Sequence, residues 1–270
     1  MLNFYHNIPK NINSIAFSVG FFDIYWYSLM YLIGFIVIVF LLRWRFLKKE
    51  SSLNWNDIFD FLIYVFFGIL IGGRIGYVFL YNWEYYKNNL FEIISPINSN
   101  GVFVGISGMS YHGALIGAVV VALFFCKKRK ISFFKATDFV VPTIPAGYFF
   151  GRIGNFLNGE LYGRVTDNKL GMFFGHEKFL RWPSQLLEAF FEGIVLFVIL
   201  WIIRNKFSQK SGFLTGLYLI GYGVFRFLVE FLREPDWQVG LIFELLTLGQ
   251  ILSLTMIFAG SIICLVVNKK

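Results

Sequence analysis

Only two cysteines, three histidines and six prolines occur in 270 residues, and only 15% of the chain is charged. Each scarcity removes a class of answer. Cys126 and Cys264 sit at the ends of separate apolar runs and make no disulfide framework, so both read as small hydrophobes. His6, His112 and His176 lie too far apart in sequence for a zinc site, and no metal or other cofactor is expected. No HExxH, no serine–lysine or serine–histidine dyad and no aspartate pair lies at membrane depth, which argues against an intramembrane protease. Alternating ten-residue segments of a membrane barrel are missing. So are the basic n-region and cleavage site of a signal peptide, and the first apolar segment is expected to stay as a span. A soluble domain averages about 25% charged residues, so this chain is not built for water.

What it has instead is apolar surface. Hydrophobic residues make up 57% and aromatics 21%. Runs of about 20 apolar residues between charges match a hydrocarbon core of about 30 Å. The expected fold class is all-α: a polytopic integral membrane helical bundle of about seven transmembrane helices. The spans are placed near 20–42, 58–80, 107–126, 137–157, 185–203, 213–232 and 243–267. The net charge of +8 is not a nucleic-acid footprint, because the basic residues collect between spans, at Arg43 to Lys49, Lys127 to Lys130, Arg204 to Lys210 and Lys269-Lys270. The positive-inside rule makes these segments cytoplasmic, with the N-terminus outside and the C-terminus inside. The outer segments are the N-terminal arm, loops at 81–106 and 158–184, and a turn at Glu234-Pro235-Asp236, a small periplasmic elaboration of one domain, 1–270.

Into the end of an apolar stretch the chain inserts Gly151-Arg152-Ile153-Gly154-Asn155-Phe156-Leu157-Asn158-Gly159-Glu160-Leu161-Tyr162-Gly163. A charge in hydrocarbon costs about 2.5–3.5 kcal/mol on insertion scales, so it is paired, solvated or ligand-bound. Helical rise sets its depth. Tyr27 stands sixteen residues before Arg43, His112 fifteen before Lys127, Arg152 fourteen after Asp138, Arg226 fourteen after Gly212 and Arg74 fourteen after Asp60. All five reach about 21–24 Å from the cytoplasmic end. Tyr222, Arg226 and Glu230 fall at i, i+4 and i+8, one helix face on which Arg226 and Glu230 can pair. Two arginines at one depth suit an anion, in the outer leaflet a phospholipid headgroup, because guanidinium meets phosphate with bidentate geometry. Glycines around Arg74, His112 and Arg152 let helices approach closely or turn backbone N–H groups to a ligand.

The thirteen-residue segment resembles the signature of the bacterial phosphatidylglycerol–prolipoprotein diacylglyceryl transferase family. Four more stretches agree in order: Trp26 to Tyr31, Gly72 to Tyr77, Gly108 to Gly117, and Gly221 to Arg226 running on to Glu230 and Arg233-Glu234-Pro235-Asp236. The resemblance implies transfer of diacylglycerol from phosphatidylglycerol to the lipobox cysteine thiol of a prolipoprotein. A thioether forms and glycerol phosphate leaves, the first step of bacterial lipoprotein maturation. It implies a multi-pass protein of the bacterial cytoplasmic (inner) membrane with its active site facing the outer leaflet. Its partners would be phosphatidylglycerol and prolipoprotein signal peptides. By motif, His112, Arg152, Arg226, Tyr27 and Glu230 take catalytic roles, and Arg152, Asn155, Glu160, Gly163, Tyr222 and Arg226 bind the lipid. Arg152 and Arg226 would hold the phosphate and His112 would take or polarise the thiol proton.

Blander readings compete. Arg74 reads equally as a structural arginine on helix carbonyls, and His112 as a cap. Glu188, Glu192 and Glu244 lie in or near spans, and Glu192 and Glu244 are taken as packing residues. Ser184-Gln185 reads as a helix start, His6 and His176 as solvated, and Trp26, Trp83, Trp182 and Trp237 as interfacial. An anion transporter is the competing class, though no repeated halves are visible. Two departures from the family pattern are Trp182, where histidine is expected, and Ala114, where glycine is. The loop from Gly163 to Pro183 is compact.

Overall fold

The computed structural model describes residues 2–20, 22–95, 97, 108–175, 177–207, 209–235, 241–242 and 245–269. The readings of Asp236, His176, Trp237 and Glu244, and most of the loop 96–107, fall outside them.

The chain opens with a short helix α1 (Leu2–His6) and an antiparallel hairpin, β1 (Ile15–Val19) with β2 (Phe22–Tyr25). Long helices follow: α2 (Trp26–Leu47) and α3 (Trp55–Tyr81), then the single turn α4 (Trp83–Tyr86) and α5 (Tyr111–Arg129). Next come α6 (Phe133–Val140), a 3₁₀ turn at Val141–Thr143, and α7 (Ile144–Leu157). A helix begins as α8 (Ser184–Glu188), widens to a π-helical segment at Ala189–Val195, and continues as α9 (Leu196–Ile203). The last elements are α10 (Phe213–Val229), a small hairpin β3 (Leu241–Ile242) with β4 (Leu246–Thr247), and α11 (Leu248–Asn268).

The protein is a mostly helical membrane chain. Four helical stretches are long and apolar enough to cross a membrane: Trp26–Leu47, Trp55–Tyr81, Ser184–Ile203 and Leu248–Asn268; α10 is a shorter apolar helix. The fold is not purely α, and the first long apolar helix begins at Trp26 rather than at residue 20. Residues 15–25 alternate β-branched and aromatic side chains about Gly20, whose φ of +62° gives the tight turn that closes a hairpin. The stretch read as 137–157 is broken because Pro142 and Pro145 remove two helical N–H donors.

Contacts group the chain into two compact units, 1–51 with 137–270, and 52–136. In the 52–136 unit α3 and α5 pack backbone to backbone. A Cβ on Gly113 would collide with the Gly72 carbonyl oxygen, and one on Gly117 with that of Gly68. Ser110 caps α5 by accepting from the Gly113 N–H at 3.2 Å. Arg129, at the far end of α5, pairs with Asp60 at 2.7 Å near the start of α3.

In the other unit α2 pairs with α7, α10 with α11, and α7 packs on the π segment. Its basic segments gather at one end. Glu50 is shared by Arg45 (2.8 Å) and Arg204 (3.1 Å), Lys210 donates to Asn268 (2.6 Å), and Asp138 accepts from the Gly212 and Thr215 N–H groups. Desolvation would raise the Glu50 carboxyl, but hydrogen bonds from Arg204 and Arg45 hold it below its ordinary range. The opposite end carries a small cap in which Phe156, Met172 and Phe174 pack with Tyr5, Ile8 and Ile12. His6 is not simply solvated there: its Nδ1 lies 2.6 Å from the Gly171 carbonyl, and its own carbonyl accepts from Phe173 N–H.

Candidate active site

The thirteen-residue segment forms the last two turns of α7 and the loop leaving it. Arg152 and Asn155, three apart, share a face. Arg152 Nη1 donates to Asn155 Oδ1 at 3.0 Å, and Asn155 Nδ2 donates to Glu160 Oε1 at 2.9 Å. This chain, Arg152–Asn155–Glu160, folds the segment back on itself. Gln185 Nε2 donates to the Glu160 carbonyl (2.7 Å) and Ser184 hydroxyl to the Leu161 carbonyl (3.1 Å), so the fully buried start of α8 clamps the turn. Leu161 takes a left-handed φ of +59°, a strain the clamp sustains. Gly163 donates to the Trp182 carbonyl at 2.7 Å and bridges to Arg233; a Cβ there would collide with the Leu232 carbonyl. Trp182 takes part through its backbone. Tyr27 N–H donates to Asn158 Oδ1 at 3.3 Å and its ring lies 4.6 Å from that of Tyr31.

The centre of the cluster is Glu188, fully buried one turn into the next helix. Its Oε2 lies 2.8 Å from Arg152 Nε and 3.0 Å from Arg226 Nη1, and its Oε1 lies 3.2 Å from Arg233 Nη1. Arg226 also pairs with Glu230 at 2.8 Å, the contact their i, i+4 spacing allows, and Glu230 accepts from the Thr247 hydroxyl at 3.0 Å. Tyr148, one turn before Arg152, places its hydroxyl 2.7 Å from Arg152 Nε and 2.6 Å from Glu192 Oε2. Tyr222 packs edge-on against the Tyr148 ring at 5.7 Å. The side chains of Arg152, Arg226 and Arg233 keep 16%, 14% and 11% exposure, whereas their acids keep 5% or less. The arginines are thus slightly more exposed than the acids that pair with them. Clustered guanidiniums of this kind are chemically suited to an anion.

Of the residues singled out by sequence, Arg152, Asn155, Glu160, Gly163, Tyr222, Arg226 and Glu230 converge in this unit, and Tyr27 joins them through Asn158. His112 belongs to the other unit, as the second residue of α5 behind the Ser110 cap. In that unit Arg74 Nε donates to the Ile93 carbonyl at 2.7 Å and Nη2 to the Glu92 carbonyl at 2.6 Å, the structural alternative weighed for it. Sequence reasoning passed over Glu188, Tyr148 and Arg233 as site residues. The available signal was an acid, Glu188, within an apolar run rich enough to span a membrane. Among the described residues no group of three histidine, cysteine or acidic side chains is placed to hold a metal.

A family model described as prolipoprotein diacylglyceryl transferase matches residues 14–266. The chain is 44% identical over 261 residues to a Chlorobaculum tepidum protein, covering 95% of this chain and 90% of the relative. It is 44% identical over 253 residues to one from Rickettsia bellii, covering 93% of each. A Rickettsia typhi protein is 44% identical over 266 residues, covering 97% of this chain and all of the relative. All three relatives are named phosphatidylglycerol–prolipoprotein diacylglyceryl transferase.

Proposed function

Because the chain belongs to the prolipoprotein diacylglyceryl transferase family, we propose that its arginine–glutamate cluster is the phosphate-binding part of a lipid-to-protein transfer site. The protein is a transferase that moves the diacylglyceryl group of phosphatidylglycerol to prolipoproteins, the first step of lipoprotein maturation. The observation that carries the site assignment is three partly exposed arginines converging on one buried carboxylate.

In the proposed mechanism the acceptor is the lipobox cysteine of a signal peptide. Its thiolate attacks the glyceryl carbon that bears the phosphate, the C–S bond forms, and the C–O bond breaks with its electron pair left on phosphate. Arg152 and Arg226 hold that phosphate and stabilise the charge gathering on its oxygen. Asn155 and Glu160 fix the Arg152 plane, Glu230 orients Arg226, and Tyr222 and Tyr27 line the lipid side. Gly163 lets the outer loop close against the end of α10. His112 is proposed as the thiol's base; this role rests on the Tyr111-His112-Gly113 motif. No cofactor enters the scheme.

The topology proposed with it has seven spans in one domain of the bacterial cytoplasmic (inner) membrane, N-terminus outside, with the site facing the outer leaflet. The basic end of the 1–51 and 137–270 unit supports this orientation.

The deciding experiment is a reconstituted assay with phosphatidylglycerol and a lipobox peptide, read by mass spectrometry. A diacylglyceryl mass gain that needs the peptide cysteine and Arg152, with glycerol phosphate released, is expected. Folded protein that yields no adduct across anionic lipids would turn attention to anion transport.

A further inference from the structure

Glu192 is a charged residue that the mechanism above leaves idle. It is fully buried on the π-helical segment, where the wider turn re-aims side chains relative to an α-helix. Its Oε2 lies 2.6 Å from the Tyr148 hydroxyl, which also lies 3.3 Å from Glu188 Oε2, and among the described residues Glu192 Oε1 has no hydrogen-bond partner. The groups that face it are Tyr148 and Arg152 from α7, Glu188 from α8, and Arg226 from α10; α9 carries no titratable side chain.

The core of the cluster holds three guanidiniums, Arg152, Arg226 and Arg233, and three glutamates. Glu188 touches all three arginines and Glu230 touches Arg226 at 2.8 Å. Glu192 pairs with no arginine. Burying an ionised carboxylate that has no cationic partner is costly, and a neutral acid avoids that cost.

Building on the transferase reading, we propose that Glu192 rests as a neutral acid and is the proton store of the site, acting through Tyr148. When the C–O bond breaks, the phosphate becomes a monoester with a second negative charge. Tyr148, standing between Glu192 and the guanidinium of Arg152, passes a proton to that oxygen and takes one from Glu192. His112 takes the thiol proton and releases it to solvent, and a proton from solvent restores Glu192 after the products leave. One proton leaves sulfur, one arrives on phosphate, and the core returns to its starting charge.

The test uses the full chain in nanodiscs, comparing wild type with Glu192→Gln and Tyr148→Phe, each checked for a cooperative thermal transition. The infrared difference between wild type and Glu192→Gln should contain the C=O stretch of a protonated carboxyl. A carboxylate band in its place overturns the proposal. In the transfer assay both variants should keep KM for phosphatidylglycerol within about twofold and lose about 100-fold in kcat, the scale of general acid–base catalysis. The double variant should be no worse than either single one. If kcat is retained, the proton-store role is wrong. A tighter KM in Glu192→Gln would mean that a negative charge had been removed, and would also overturn it. Wild type that makes no adduct defeats the transferase reading instead, and the infrared band still decides the state of Glu192.

Discussion

Arg226 Nη1 lies 3.0 Å from Glu188 Oε2, so a buried acid occupies one edge of a guanidinium whose other nitrogen is held by Glu230 at 2.8 Å. The arginine is therefore aimed before any lipid arrives, and anion binding has little side-chain ordering left to do.

Glu188→Gln leaves three arginines around an amide. Breaking a buried pair from one side costs about 3–5 kcal/mol, so the thermal midpoint in detergent should fall sharply. Glycerol phosphate should raise the midpoint of the variant more than that of wild type, because it replaces the lost charge. An equal rise in both would show that the arginines are not the anion site.

Arg152→Lys keeps a charge but not the geometry. One ammonium cannot keep the fork that meets Tyr148, Glu188 and Asn155 together. We expect kcat/KM for phosphatidylglycerol to fall by at least about 100-fold, more than any accompanying drop in the melting transition accounts for. Near-normal turnover would remove Arg152 from the phosphate site.

Gly113→Ala forces a methyl group against the Gly72 carbonyl. Overpacking of this kind costs about 1–3 kcal/mol. Separation of α3 from α5 should appear as faster amide exchange in both helices. Unchanged exchange would show that the helices part easily.

Glu50 gives the pH dependence a sign. Arg204 and Arg45 hold its carboxyl below the ordinary range against desolvation, so its stabilisation is complete above the unfolded value of about 4.3 and disappears as pH falls through the folded value. Glu50→Gln should lower the thermal midpoint at pH 7, and the gap to wild type should close below about pH 4. A gap independent of pH would exclude this ion cluster as its source.

The long apolar helices were legible because length and hydrophobicity alone imply them, and Arg226 with Glu230 because four residues is one helical turn. Glu188 was not legible. Its partners lie thirty-six to forty-five positions away, at Arg152, Arg226 and Arg233, and no local spacing connects them. The π segment was hidden too, since Ala189–Val195 reads as an ordinary apolar helix. At the N-terminus a continuous apolar count from residue 20 ran past the alternation that makes Phe22–Tyr25 a strand. Arg74 was left open between two readings because its carbonyl partners come from an irregular turn with no sequence pattern.

Helix α2 packs on α7, yet the whole 52–136 unit is translated between them. Nearly a hundred residues separate the end of α2 from the start of α7, about 5–20 seconds of synthesis at 5–20 residues per second. Until α7 is made, the Gly34 face of α2 has no Gly147 to meet. The intervening α3–α5 pair needs nothing made after Arg129 for its glycine contacts. Helix α2 thus depends on a partner made nearly a hundred residues later, whereas α10 and α11 pair as near neighbours in sequence.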